Sequence, residues 1–161
     1  MRRRFFRCLL GIALASISIA ASWDEAPIRS PITRQAVIAQ INEHRAANQL
    51  PPLREDERLV RAAEARMRDM VEQEYWSHDA PDGRPPFTWL EPNGYPYRNA
   101  AENLARGFET AELLVDSWME SPGHRSNILG GEFSDVGIAI LDGATTGRAA
   151  GRSVVVLFGR E

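Results

Sequence analysis

The sequence predicts an α+β domain, because helical periodicity occupies its front and middle while two strand-like runs close it, a segregated rather than alternating order. Three observations carry this. Leu59, Val60, Ala63, Met67, Met70 and Val71 lie on one helical stripe about 120° wide. Leu113, Leu114 and Trp118 mark a second amphipathic helix, and the runs Val136–Ile140 and Ser153–Phe158 read as strands. A chain of 161 residues with 43% hydrophobic content has the length and core material of one domain.

The first 22 residues read as a secretory signal peptide. Four of the chain's 19 arginines precede Cys8, an uncharged apolar run of 14 residues extends from Cys8 to Ala21, and Ser18-Ile19-Ala20 or Ala20-Ala21-Ser22 offers small residues for cleavage. Arg2-Arg3-Arg4 is compatible with twin-arginine export as well as the general route. The apolar run is shorter than the roughly 20 residues needed to cross a bilayer, so no stable membrane anchor is expected. Residues 23–31 mix proline, serine and charge and read as a flexible lead; the domain is placed at 32–161.

Within it, Val37, Ile38 and Ile41 mark a first helix that runs to about Asn48 and is stopped by Pro51-Pro52. Asp56 is the candidate cap of the second helix. From Tyr75 to Gly107 the pattern is irregular, with Pro81-Asp82-Gly83 and Pro92-Asn93-Gly94 as turn markers and one short helix around Phe87 to Leu90. A stretch that long, carrying Tyr75, Trp76, Phe87 and Trp89, suggests a functional loop. Thr110 caps the next helix, which ends at Ser121-Pro122-Gly123. In the first strand Val136, Ile138 and Ile140 alternate with Gly137 and Ala139. A glycine-rich connection from Asp142 to Gly151 leads to the unbroken apolar run of the second, suited to a buried strand.

Without its signal the chain carries 15 arginines against 22 acidic residues, a net charge near −7. That surface excludes a nucleic-acid partner. Cys8 is the only cysteine and lies in the signal, so neither a disulfide nor a lipid anchor is expected.

Three histidines limit the candidate sites. His44 stands at the margin of the first helix's apolar face beside Glu43 and Arg45 and reads as structural. His78 and His124 sit in turn-rich segments, Trp76-Ser77-His78-Asp79-Ala80-Pro81-Asp82-Gly83 and Ser121-Pro122-Gly123-His124-Arg125, where proline and glycine can hold a side chain toward a cleft. Their spacing matches no zinc-helix motif, so spacing alone does not unite them. Asp79 and Asp82 read as turn residues, lacking the oxygen-rich pattern of a calcium loop. Ser77, Ser121 and Ser126 adjoin histidines without the glycine-flanked setting of a nucleophile elbow.

Six ordered motifs resemble the bacterial CAP domain, of the superfamily of cysteine-rich secretory proteins, antigen 5 and pathogenesis-related 1 proteins. They are Ile41-Asn42-Glu43-His44-Arg45, Pro51-Pro52-Leu53, the Trp76-Ser77-His78 loop, Gly94-Tyr95, Ala101-Glu102-Asn103-Leu104-Ala105, and Trp118 through Leu129. The resemblance implies an α-β-α sandwich with a small central antiparallel sheet between helices. It also implies a cleft lined by His78, Glu102 and His124, with Ser121 and Asn103 beside them. Where eukaryotic relatives have a second cleft glutamate this chain has Ser121; Glu120, one position earlier, points about 100° away on a helix. Where many relatives have Trp-Thr-Gln in the last strand, this chain has Val154-Val155-Val156.

Two imidazoles and a carboxylate would suit a divalent metal such as Zn²⁺, with His78, His124 and Glu102 as ligands. The resemblance then implies an exported protein, periplasmic or secreted, that binds an extracellular small molecule, lipid, peptide or cell-wall component. A metal-dependent hydrolase with Glu102 as general base is the alternative, although that role would leave two protein ligands. A structural secreted domain without metal is the third reading.

Overall fold

A computed structural model describes residues 31–143 and 152–161. The predicted signal peptide, the lead before Pro31 and residues 144–151 of the glycine-rich connection lie outside the described residues. Pro31 itself is pinned by an isolated antiparallel bridge to Thr110.

Helix α1 spans Arg34–Ala47, capped by the Thr33 side chain, which accepts from the Ala36 N–H. The short strand β1 (Arg54–Glu55) precedes α2 (Glu57–Glu72), whose cap is Asp56, accepting from the Arg58 N–H as the sequence predicts. Phe87–Leu90, where a short helix was expected, forms consecutive turns, and a 3₁₀ helix follows them at Glu91–Asn93. Strand β2 (Asn99–Phe108) leads to α3 (Ala111–Glu120), α4 (Pro122–Ile128), β3 (Asp135–Leu141) and β4 (Arg152–Arg160). One correction and one addition follow. The supposedly irregular stretch ends in the ten-residue strand β2, and Ser121-Pro122-Gly123, which ends α3 as expected, also opens a further helix, α4. Ser121 closes α3, and Pro122, with φ fixed by its ring, opens the next helix at a position where no N–H is needed.

The sheet has the order β1-β3-β4-β2. Its three long strands are antiparallel as expected, and the two-residue β1 joins β3 in parallel, making the sheet mixed at that edge. Helices α1, α3 and α4 cover one face, where Val136, Ile138, Val154, Val156 and Phe158 meet Ile41, Leu114 and Trp118. Helix α2 covers the other, where Leu59, Ala63 and Met70 meet Ala139, Val155 and Leu157. The architecture is the α-β-α sandwich. Gly137 explains why the β3 alternation uses such small residues on that side. A Cβ there would lie 2.1 Å from the Leu59 carbonyl carbon, so the α2 backbone rests directly on the strand.

Candidate functional site

Strand β2 is the free edge of the sheet and positions the site. Its burial is continuous from Ala101 to Asn103, and its pleat sends alternate residues to opposite faces. Glu102 faces α2, and Asn103 faces the α3–α4 corner. The corner also covers the edge: Trp118 Nε1 donates to the Leu104 carbonyl at 3.2 Å, and Asn127 Nδ2 donates to the Glu102 carbonyl at 3.2 Å. Asn103 is fully buried; its Nδ2 donates to the His124 carbonyl at 3.2 Å while its Oδ1 accepts from Asn127 at 2.8 Å. Its role is to hold α4, and with it His124, against the strand.

On the α2 side, Glu102 has a side chain only 1% exposed and uses both oxygens. Oε2 accepts from Arg66 Nε at 3.1 Å, and Oε1 faces His78 Nδ1 at 2.8 Å. Arg66 is itself fully buried. Its remaining donors meet the carbonyls of Ser77 and His78, both at 2.6 Å, and the Tyr75 hydroxyl, and it stacks 4.7 Å from the Trp89 ring centroid. One guanidinium thus fixes the carboxylate that orients His78 and the backbone that carries it. Tyr75 donates to Asp69 at 2.5 Å, and burial with that carboxylate pushes its phenol up to about 12, so it stays protonated as the donor.

His78 remains open to solvent, its side chain 55% exposed, with Nε2 directed away from the Glu102 bond. The Glu102 bond holds the His78 pKa above the ordinary imidazole value, opposed by desolvation and by Arg66. His124 is shifted the other way, lowered first by burial and then by repulsion from His78. The two imidazoles are therefore shifted in opposite directions, His78 toward its protonated form and His124 toward its neutral one.

His124 and Ser121 line a groove of 430 Å³ with Trp76, Leu104, Phe108 and Trp118. Arg106 lies over the Trp76 ring at 4.9 Å, and the Trp118 and His124 rings are 6.2 Å apart. The groove offers aromatic walls next to polar groups, the usual makeup of a ligand pocket.

The chemistry of the donors bears on a metal. Among the described residues no group of three or more His, Cys, Asp or Glu side chains gathers in a metal-holding arrangement. Glu102, with both oxygens facing protein donors, has no oxygen left for a metal, and a carboxylate behind His78 would take an outer-shell role if that imidazole held an ion. The ring nitrogen of His78 that the Glu102 bond leaves free is Nε2.

The other candidates fall outside this cluster. His44 Nε2 lies 3.4 Å from Asp116 Oδ1 across α1 and α3. Asp82 binds Arg84 within its own turn, at 2.6 Å from Nε. No hydrogen bond joins Ser77, Ser121 or Ser126 to a histidine among the described residues. Glu120 is exposed, whereas Ser121 lines the groove. Arg66 was missed by the sequence reading, yet it had a signal: at 100° per residue it falls about 20° from Leu59, at the margin of the apolar stripe of α2 and between Leu59 and the buried Ala62, where an unpaired arginine is not tolerated.

The sequence profile of the Cysteine-rich secretory protein family (CAP) matches residues 38–158, and the chain belongs to that family. It is 35% identical over 117 residues to the uncharacterized protein YkwD of Bacillus subtilis (strain 168), a match covering 73% of this chain and 46% of YkwD. The YlbC membrane protein of the same strain is 24% identical over 108 residues, covering 67% of this chain and 31% of YlbC. The chain therefore spans less than half the length of these relatives. Among solved structures, the fold is similar to an extracellular SCP-domain protein of Bacillus anthracis, with TM-score 0.66, 24% identity and coverage of 79% of this chain and 40% of that one. It is also similar to an outer surface protein of Borrelia burgdorferi, with TM-score 0.69, 22% identity and coverage of 83% and 99%.

Proposed function

We propose that this chain is an exported binding module whose edge-strand cleft takes an amphipathic extracellular ligand, a lipid or peptide with a carbonyl or oxyanion head. The head would lie between His78 and His124, the first biased toward donating a proton and the second toward accepting one. The apolar arm would lie along Trp76, Phe108 and Trp118. The extracellular setting is supported by the solved relatives, which are extracellular or surface proteins, and by the basic and apolar opening of the sequence. Among the described residues no helix is long and apolar enough to cross a membrane.

The observation that carries this reading is the Arg66–Glu102–His78 chain. A fully buried guanidinium and a buried carboxylate orient one exposed imidazole, two residues along the chain from Trp76 in the groove wall, a use of buried charge that a purely structural loop does not need. A divalent ion such as Zn²⁺ is the proposed alternative occupant of the same position, held by the deprotonated Nε2 of His78 and by His124 with Glu102 behind His78, so that ion binding and proton donation by His78 exclude each other. When bound it would polarise a ligand carbonyl.

The test is calorimetric titration of the mature protein with Zn²⁺, and with acyl and peptide ligands in its presence and absence. Binding should weaken at least tenfold, about 1.4 kcal/mol, in His78→Ala and in His124→Ala and stay unchanged in His44→Ala. Equal affinity in the His78→Ala/His124→Ala double variant would overturn the reading. Turnover of a peptide or ester panel abolished by Glu102→Gln would replace it with hydrolysis.

A further inference from the structure

We propose a second ligand site, for a flat carboxylate monoanion such as an aromatic acid, in the groove formed by Pro51, Pro52, Arg54, Phe133 and Arg160. This groove has a volume of 360 Å³ and shares no lining residue with the histidine cleft.

Its wall is built around a buried cation. Arg45 projects from α1, is fully buried, and has only carbonyl partners: Pro51 at 2.9 Å, Ile128 at 2.9 Å, Gly130 at 2.8 Å and Phe133 at 3.3 Å. It makes no ion pair among the described residues. Burial opposes its charge, and the Coulombic influence of Glu132 supports it only in part. The segments that wrap Arg45 are those that line the groove, so an anion seated there faces a positive charge across one layer of backbone.

Two more guanidinium groups stand at the mouth. The Arg54 side chain is 80% exposed and lies 3.8 Å from Asp135 Oδ1, too long for a strong pair. The Asp135 Oδ2 accepts from Tyr95 and Ser134, each at 2.9 Å. Arg160 has no ion-pair partner among the described residues, since the neighbouring Glu161 carboxylate is turned to Arg58 at 2.8 and 3.1 Å.

The chemistry selects the ligand. Arginine's planar fork matches a carboxylate in two parallel hydrogen bonds. Three guanidinium groups against Asp135 and Glu132 leave a small positive excess, which favours one negative charge over two. Pro51, Pro52 and Phe133 supply apolar surfaces that a ring can lie against, and a fully polar anion would leave those surfaces wet.

The experiment is an amide NMR titration of the full chain with benzoate, benzyl alcohol and phenyl phosphate. Benzoate should give saturable shifts at Gly131 and Ser134. The Arg54→Ala/Arg160→Ala variant should bind it roughly tenfold more weakly, with its far-UV circular dichroism unchanged. His78→Ala/His124→Ala should bind benzoate at these amides as the native chain does, which separates this site from the cleft. The proposal is overturned if benzoate gives no saturable shift or if the arginine variant binds equally well. It is also overturned if benzyl alcohol binds as well, if phenyl phosphate binds as tightly, or if the histidine variant loses the shifts.

Discussion

Replacing Arg66 by Met tests whether the cleft is organised by a buried charge pair. The substitution keeps apolar bulk against Trp89 but leaves Glu102, 1% exposed, without its guanidinium, and it strips the Ser77 and His78 carbonyls of their donors. Breaking a buried pair by removing one partner costs about 3–5 kcal/mol. For a chain of this length that corresponds to a fall in Tm of roughly 6–20 °C. The sequel distinguishes pairing from packing: Arg66→Met/Glu102→Leu removes both charges and should recover most of the loss, because apolar replacement of a whole buried pair is often neutral. His78 supplies a second readout. In Arg66→Met the guanidinium that depresses its pKa is gone while Glu102 remains, so its NMR titration should move further upward; in the double variant it should fall toward the ordinary value near ~6.5. Urea denaturation and the imidazole C–H titration measure both. A loss below about 1 kcal/mol in Arg66→Met, or a double variant as unstable as the sum of the singles, would refute the reasoning.

The raised His78 pKa stabilises the fold fully below the unfolded value near ~6.5, and this contribution is lost as pH rises through the folded value. Between about pH 6 and 8, Glu102→Gln should therefore lose less stability with rising pH than the native chain, as urea midpoints will show. His124 has the opposite sign. Its lowered pKa means that stability falls as pH drops below ~6.5, so His124→Gln should flatten the acid limb of the same curve, and an unchanged limb would contradict the assigned burial. At Gly137 a Cβ would meet the Leu59 backbone at 2.1 Å, and Gly137→Ala should cost at least about 3 kcal/mol by calorimetry, since backbone cannot yield as a side chain can.

The elements legible in the sequence were those whose local pattern and tertiary role agree. Helix α2 was read to its cap because its apolar stripe is also its buried face, and β4 because Val154-Val155-Val156 is buried on both sides. Strand β2 was lost because Asn-Ala-Ala-Glu-Asn-Leu-Ala-Arg has the composition of a helix. It is a strand only because Ala101 to Ala105 pair with Val154 to Phe158 and because Trp118 and Asn127 take up the Glu102 and Leu104 carbonyls. The family resemblance named the cleft histidines and Glu102, but it could not assign Glu102 to Arg66 or Asn103 to the support of α4. Those assignments depend on which way a side chain leaves a strand that sequence patterning did not reveal.

The residues that break local rules are the ones that build the site. An arginine at the margin of an apolar helix stripe, a glutamate and an asparagine side by side in a buried strand, and a Ser-Pro junction that ends one helix and opens the next are each costly or uninformative alone. Together they satisfy one another, and no buried side-chain polar atom lacks a partner among the described residues. The pleat of β2 divides the labour: Glu102 supports His78 through α2's face, and Asn103, one residue on, supports His124 through α4. A register slip of one residue would place Asn103 or Ala101, according to its direction, against Arg66, leaving that guanidinium without a counter-charge. Register is therefore under electrostatic as well as hydrophobic control here, and it is also pinned at the strand's start, where Gly159 pairs with Ala100 beneath the Tyr95 ring and admits no larger residue.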